Sequence, residues 1–194
     1  MHEETKNGFK LSVVHDDFNT HNPIEEECGA LGTYACLHKR YKLGNTEEFK
    51  TPEQLDDFLE QAQVFSWPLY MMDHSGLTIA LGADKFRACD PCGWDWGKLG
   101  HVFVTHEKAR EFFPSTPQEG MEEKVYISLK AELEEYNKFL QGDCYGFVII
   151  DTRNDDIKVD SCWGFLGFEN CLEEARHALD HCQRKQLELP RIII

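Results

Sequence analysis

Two short turns carry side chains that could move protons or bind a metal ion. The first covers residues 73–76 with the sequence Asp-His-Ser-Gly, and the second is centred on Asp95. An aspartate followed closely by glycine is typical of a turn in which the carboxylate accepts backbone N–H groups and glycine adopts a positive φ. If the two turns converge, they would instead form an acid–base or metal site. The candidate catalytic residues under that alternative are Asp73, His74, Ser75 and Asp95.

The second turn also carries aromatic and thiol side chains. Trp94 and Trp96 flank Asp95, and tryptophans in an exposed loop are typical of a binding surface. Cys89 and Cys92 have the two-residue gap of a zinc-ligand pair, but a structural zinc site normally needs a second such pair. We therefore expect no cofactor, with Cys89 and Cys92 as weak zinc candidates.

A small basic segment at 39–42 contains Arg40 in an otherwise acidic chain. A guanidinium at this position could bind the phosphate of a ligand, because its planar donors match phosphate oxygens. Alternatively, the basic segment could pair with an acidic run earlier in the chain. That run consists of Glu25, Glu26 and Glu27.

Residues 160–165, with the sequence DSCWGF, form a third candidate segment. The strand-like alternation before it loses phase at Ser161, as happens at a β-bulge, and bulges often redirect side chains towards a site. Asp160 and Trp163 would then be binding residues. The alternative is a strand that ends at Cys162, with Trp163 packed under the last helix, and this is the interpretation that the sequence favours.

Hydrophobic periodicity predicts the elements that must position these residues. Apolar alternation predicts strands at 9–15, 30–37, 64–72, 77–81, 101–105, 145–151 and 157–163. Helical spacing and capping residues predict four helices, at the starts Thr51-Pro52 and Thr116-Pro117, over 105–113 and over 168–185. Short connections after 72 and 151 predict antiparallel hairpins. We therefore expect an α+β fold: a mainly antiparallel sheet built of hairpins, with about four helices packed on it.

Length and charge limit the class of protein. The chain has 194 residues and a formal net charge of -15, so we expect no direct binding to nucleic acid and none to an anionic membrane. No apolar run approaches the ~20 residues of a membrane span, and the first residues lack the pattern of a signal peptide. We expect a soluble, cytoplasmic protein, with one domain over 1–194 and a flexible N-terminal tail over 1–8.

Four segments resemble signatures of a family of small proteins encoded by phages and mobile elements. They are PLYMMDHSG at 68–76, WDWGKLG at 94–100, YGF at 145–147 and DSCWGF at 160–165, and residues 22–44 are similar as well. The resemblance implies an accessory protein that acts in an infected or plasmid-bearing bacterium. Trp96 stands where the family shows serine, which weakens any mechanism that needs a hydroxyl there. Cys89 and Cys92 lie outside the family's motifs, which weakens the zinc interpretation.

Charge and the absence of catalytic motifs favour binding over catalysis. The sequence has no phosphate-binding glycine loop, no nucleophile elbow and no zinc-protease helix motif. An acidic surface can steer and bind a host protein whose own surface is built for DNA. We therefore expect an acidic inhibitor of a host defence or nucleic-acid enzyme.

The alternative is a small enzyme, or a sequestering protein, for a nucleotide-like ligand. His74 would move a proton, Arg40 would bind a phosphate, and Trp94 or Trp163 would stack on a base. Either function requires the loops that carry Asp73, Asp95 and Trp163 to form one recognition surface.

Overall fold

The computed structural model describes residues 1–19, 21–25 and 28–188, with the backbone alone at 186–188. These residues form an α+β structure with two four-stranded antiparallel sheets and five helices, which confirms the predicted fold class. The strands are β1 His2–Lys6, β2 Phe9–His15, β3 Thr33–Cys36, β4 Val64–Asp73, β5 Leu77–Leu81, β6 Trp96–Thr105, β7 Cys144–Asp151 and β8 Ile157–Leu166. The helices are α1 Pro52–Gln61, α2 Asp84–Cys89, α3 His106–Phe112, α4 Gln118–Leu140 and α5 Phe168–Glu188.

The chain divides into two compact units. Unit 1 consists of Met1–His21 and Gly142–Ile194, and unit 2 consists of Asn22–Gln141. The prediction of a single domain over 1–194 stays a prediction.

Unit 1 is a sheet in the order β1-β2-β7-β8 with helix α5 packed on one face. Strand β2 alternates cleanly, so Phe9, Leu11 and Val13 are buried while the residues between them are not. These three side chains pack with β7 and with the apolar stripe of α5. The stripe consists of Cys171, Leu172, Ala175 and Leu179.

The flexible tail predicted for 1–8 is wrong for most of its length. His2–Lys6 form β1, which pairs with β2 from His2 opposite Val13 to Lys6 opposite Phe9. The sequence HEETK hides this strand because an edge strand exposes its polar side chains, so it shows no apolar alternation.

Unit 2 is a sheet in the order β3-β6-β4-β5 with helices on both faces. Helix α4 covers one face with a stripe that contacts buried residues of β4 and β6. That stripe consists of Met121, Val125, Leu129, Leu133 and Tyr136. On the other face, Leu55 of α1 packs with Ala35 and Phe103.

The predicted helix starts fare differently. Thr51 caps α1 through its hydroxyl, which accepts the N–H of Gln54, and Pro52 occupies the first turn. Thr116 does not cap α4, which begins at Gln118 with no side-chain cap. Helix α2 is an additional short helix that the sequence did not predict, and no described helix is long and apolar enough to cross a membrane.

Strand β6 contains an irregularity that shapes the surface of unit 2. Leu69 pairs with Gly100 and Tyr70 pairs with Lys98, which leaves Leu99 as an extra residue. At Gly100 a Cβ atom would overlap the carbonyl of Ala35, so only glycine allows β3 to approach so closely. A bulge of this kind bends the strand and redirects the side chains around it.

Candidate functional site

Strand register brings the two predicted turns together in unit 2. Strand β4 ends at Asp73 and β6 begins at Trp96, with Met72 opposite Trp96. The N–H of Asp73 then donates to the carbonyl of Asp95 over 2.8 Å. The carboxylates of both turns therefore lie at the same edge of the sheet.

His74 and Asp95 form a direct pair at this edge. The Nδ1 atom of His74 lies 2.7 Å from Oδ2 of Asp95, with the side chains 69% and 42% exposed. A neutral imidazole that donates from Nδ1 to a carboxylate leaves Nε2 as a proton acceptor facing solvent. The geometry suits a general base. The pair adds little to the stability of the fold, because exposed ion pairs of this kind stabilise a protein by at most about 1 kcal/mol.

Asp73 has a different partner, which the sequence analysis did not single out. The hydroxyl of Tyr41 donates to Oδ2 of Asp73 over 2.5 Å, and this hydrogen bond raises the pKa of Tyr41 above its usual value. Arg40 lies with its guanidinium carbon 5.0 Å from the centroid of the Tyr41 ring, and its charge opposes that rise. His38 stacks on the same ring at 5.2 Å.

Arg40 therefore reaches the edge through Tyr41. Among the described residues, the basic segment forms an ion pair between Lys42 and Glu47 at 3.4 Å and none with Glu25. Glu25 is exposed, while Glu26 and Glu27 lie outside the described residues.

Ser75 serves the backbone of the turn. It has a positive φ of 54°, as does Gly76 at 147°, and its side chain is exposed. The positive φ expected of the glycine is present, but among the described residues the carboxylates of Asp73 and Asp95 accept no backbone N–H and contact Tyr41 and His74 instead.

The loop before β6 is held by Asp90, a residue that the sequence analysis missed. Its carboxylate accepts four backbone N–H groups, those of residues 92 to 95, over 2.7 to 3.2 Å. These bonds, above all the one from the Asp95 N–H, hold the pKa of Asp90 below its usual value. The sequence Asp-Pro-Cys-Gly at 90–93 is a turn signature that could have indicated this role.

The two tryptophans of this loop differ in exposure. Trp94 is 87% exposed, whereas Trp96 is half-buried against Tyr70 and donates its Nε1–H to the carbonyl of Asp90 over 2.8 Å. Trp96 thus fixes the base of the loop, and Trp94 projects from it. Of these two tryptophans, Trp94 is the one exposed to a binding partner.

Cys89 and Cys92 are exposed free thiols. In the part of the chain that the structure describes, no three side chains of the metal-binding types are grouped around a common point.

Asp160 and Trp163 belong to unit 1. The carboxylate of Asp160 accepts the N–H of its neighbour Ser161, and Trp163 is 50% exposed. Strand β8 runs to Leu166, so the predicted end at Cys162 with Trp163 under the last helix is wrong. Register shifts opposite 145–147 and 149–150 place irregularities in this strand instead, and the indole of Trp163 lies against Gly146.

Comparisons with protein-family models, with characterised proteins and with solved structures give no match to this chain. The site must therefore be interpreted from its own geometry. That geometry offers an imidazole paired with a carboxylate, a second carboxylate at Asp73, and a hydrogen-bonded loop that presents an aromatic side chain.

Proposed function

We propose that this protein is a phage or mobile-element accessory protein that acts in the cytoplasm of its bacterial host by binding a host protein. The observation that carries the proposal is Trp94, which is 87% exposed at the tip of a loop fixed by four hydrogen bonds to Asp90. We define the Trp94 surface as residues 92–95.

An exposed tryptophan on a rigid loop is suited to be an interface anchor. Tryptophan is enriched among residues whose truncation costs more than about 2 kcal/mol of binding energy. A loop already held in one conformation loses less conformational entropy on association. The hydrogen bonds to Asp90 supply that rigidity before any partner arrives.

Charge supports a basic partner. The net charge of -15 favours association with a positively charged surface, both in steering the encounter and in complementing the contact. A host defence or nucleic-acid enzyme carries such a surface where it binds DNA or RNA. The proposal is therefore an acidic inhibitor that occupies or covers that surface.

The test is affinity purification of the tagged full chain from infected cells, scored for a host protein in stoichiometric amount. We expect the wild type and Phe18→Ala to retain this protein, and Trp94→Ala to lose at least about tenfold in affinity. Phe18 is the matched control because it is a 91% exposed aromatic residue of a loop in unit 1.

Two results would overturn the proposal. The first is a partner that Trp94→Ala retains as well as the wild type does. The second is the absence of any stoichiometric protein when the chain is expressed at its natural level.

A second candidate function is turnover or sequestration of a nucleotide-like ligand, and the His74–Asp95 pair favours it. His74 could accept a proton through Nε2 while Asp95 stabilises the resulting cation. Asp73→Asn and His74→Ala separate the two functions. If these variants bind the host protein normally but lose an activity on nucleoside phosphates, the ligand function is supported; if they lose neither, it is excluded.

A further inference from the structure

A pocket of about 400 Å³ opens beside α1 in unit 2, apart from the Trp94 surface residues. Its apolar lining includes Leu37 and Leu55, while the buried side chain of Leu99 packs in the core cluster with α4. Its rim is polar and includes His38, Lys39, Asp56, Lys98 and His101. A volume of this size lies within the ~300–1,000 Å³ range of small-molecule sites, which combine apolar walls with a few placed polar groups.

The bulge in β6 forms one wall of this pocket. Leu99 is the extra residue of the bulge, and Lys98 and Gly100 flank it, so three consecutive residues line the pocket. In a regular strand, neighbouring side chains would alternate between the two faces of the sheet. The irregular backbone therefore lets three consecutive residues of one strand border the same depression.

The lysines of the rim are the next observation. The lysine ion pairs of the described residues involve Lys6, Lys10, Lys42 and Lys138, so Lys39 and Lys98 have no carboxylate within 4.0 Å there. Asp56 is the acidic residue among those that line the pocket. The chain has 35 acidic and 20 basic residues, so its net charge is negative. Two unpaired lysines beside one apolar depression give that depression a local excess of positive charge.

His101 adds little positive charge to the pocket. Burial lowers the pKa of His101, the nearby charge of Lys98 lowers it further, and Asp56 opposes the shift. Its Nδ1 atom is shielded from solvent and has no hydrogen-bond partner among the described residues. The imidazole is therefore neutral at pH 7, and the lysines provide the positive charge.

We propose that this pocket binds a small organic anion, with its anionic group between Lys39 and Lys98 and its apolar body against Leu37 and Leu55. The residues that line the pocket include no phenylalanine, tyrosine or tryptophan that could stack on a nucleobase, and of its two imidazoles His38 is already stacked on Tyr41 and His101 is half-buried. The ligand class is therefore an apolar carboxylate, sulfonate or phosphate ester rather than a nucleotide. This site uses different residues from the Trp94 surface, so it is independent of the proposed function.

The experiment uses two fluorescent dyes on the full chain. The first, 8-anilinonaphthalene-1-sulfonate, has an apolar body and one anionic group, and N-phenyl-1-naphthylamine has the same body without the charge. We expect the sulfonate to bind with one-to-one stoichiometry and about tenfold more tightly than the neutral dye, which corresponds to about 1.4 kcal/mol.

Charge variants locate the binding. Lys98→Gln and Lys39→Gln should each weaken sulfonate binding by about tenfold, while Asp56→Asn should strengthen it by about threefold. Lys130→Gln is the matched control, because Lys130 is an exposed lysine of α4 that does not line the pocket. Lys39 and Lys98 are exposed, so circular dichroism should show the fold unchanged.

Equal affinity for the two dyes would overturn the proposal, since it would reduce the pocket to an apolar depression. So would a sulfonate affinity that Lys98→Gln and Lys130→Gln change to the same extent, because the dye would then be responding to overall charge. Failure of the sulfonate to bind at about 1 mM, the weak end of ligand affinities, would overturn it as well.

Discussion

The carboxylate of Glu132 connects α4 to the segment before β3. It accepts the N–H of Leu31 over 2.6 Å, the N–H of Gly32 over 3.1 Å and the hydroxyl of Tyr34 over 2.7 Å. Tyr34 is fully buried, and that burial, followed by the neighbouring Glu132 charge, raises its pKa. One side chain thus satisfies three donors that have little access to water.

We predict that Glu132→Ala lowers the free energy of unfolding by about 2–3 kcal/mol, because it leaves those donors without an acceptor. Urea unfolding of the full chain measures the change. Glu134→Ala is the matched control on the same helix, since Glu134 is exposed, and it should change the free energy by less than about 0.5 kcal/mol. Equal effects of the two substitutions would contradict the assignment.

A second prediction concerns Asp90 and the rigidity of the loop below Trp94. An asparagine amide has one acceptor oxygen in place of two, so Asp90→Asn should expose the N–H groups of Trp94 and Asp95. We expect amide hydrogen exchange at residues 92–95 to accelerate by about tenfold. Asp84→Asn, at the start of α2, is the control and should leave these rates unchanged.

The same loop should respond to acid in a defined direction. The pKa of Asp90 is lowered in the folded state, so its contribution is complete above the ordinary aspartate pKa of ~3.9 and is lost as the pH falls through the lowered value. Exchange at 92–95, corrected for its intrinsic pH dependence, should stay constant from about pH 7 to pH 5. Loss of protection already at pH 5 would contradict this prediction.

Residue types alone identified part of the site. Asp73, His74 and Asp95 stood out because aspartate and histidine at strand ends are chemically versatile, and the structure places them together. Tyr41 and Asp90 did not stand out, because their roles depend on which backbone or carboxylate lies opposite them. That information is in the strand register, which periodicity does not specify.

At the scale of elements, Gly146 and Trp163 form a matched contact between β7 and β8. A Cβ atom at Gly146 would overlap the indole ring of Trp163. We predict that Gly146→Ala lowers the free energy of unfolding by about 1–3 kcal/mol, as overpacking does, and shifts the indole into solvent. Tryptophan fluorescence and urea unfolding together measure these effects.

For Gly120→Ala we expect the free energy of unfolding to rise instead of fall. No atom lies within 4 Å of a Cβ at Gly120, which is in the first turn of α4. Alanine should therefore stabilise the protein by about 0.5–1 kcal/mol through its higher helix propensity. Loss of stability in both variants would show that Gly146→Ala acts through something other than the contact with Trp163.

Periodicity was informative for long elements and failed for short or exposed ones. It placed α1, α3, α4, α5 and seven of the eight described strands. It missed α2, which is only six residues long, and β1, whose side chains are mostly polar. It also ended β8 too early, because the irregular register opposite 145–150 breaks the alternation on which such predictions depend.

At the scale of the whole molecule, like charge accumulates in both units. Unit 1 contains 14 acidic and 8 basic residues, and unit 2 contains 21 and 12. Raising NaCl from about 10 mM to about 150 mM shortens the Debye length from ~30 Å to ~8 Å and so weakens the repulsion. We predict that the thermal midpoint rises by about 2–4 °C, which corresponds to about 1 kcal/mol for a chain of this size.

Thermal unfolding followed by circular dichroism measures this shift, and neutralising the charges supplies a check. At about pH 5 many carboxylates approach their pKa values, so the increase caused by salt should be smaller than at pH 7. A midpoint that falls with added NaCl would contradict the prediction.

The division into two units could not be predicted from the sequence. Strand β2 pairs with β7 from Phe9 opposite Asp151 to His15 opposite Tyr145. No local pattern links segments so far apart in the chain. The hairpins β4–β5 and β7–β8 were predictable because a short turn fixes their partners, whereas the pairing of β2 with β7 depends on which edges remain free after folding.

This long-range pairing affects how the protein folds while it is being synthesised on the ribosome. The β1–β2 hairpin emerges before β7, which follows only after residues 16–143, and these take on the order of 10 s to translate at ~5–20 residues per second. A lone hairpin is marginally stable in water, so the side chains of Phe9, Leu11 and Val13 stay exposed to solvent during that interval. Unit 2 has all its strands in one continuous stretch and can fold on the nascent chain meanwhile. The rate of translation, and chaperones that cover Phe9, Leu11 and Val13, should therefore affect the yield of folded protein more than the free energy of unfolding does.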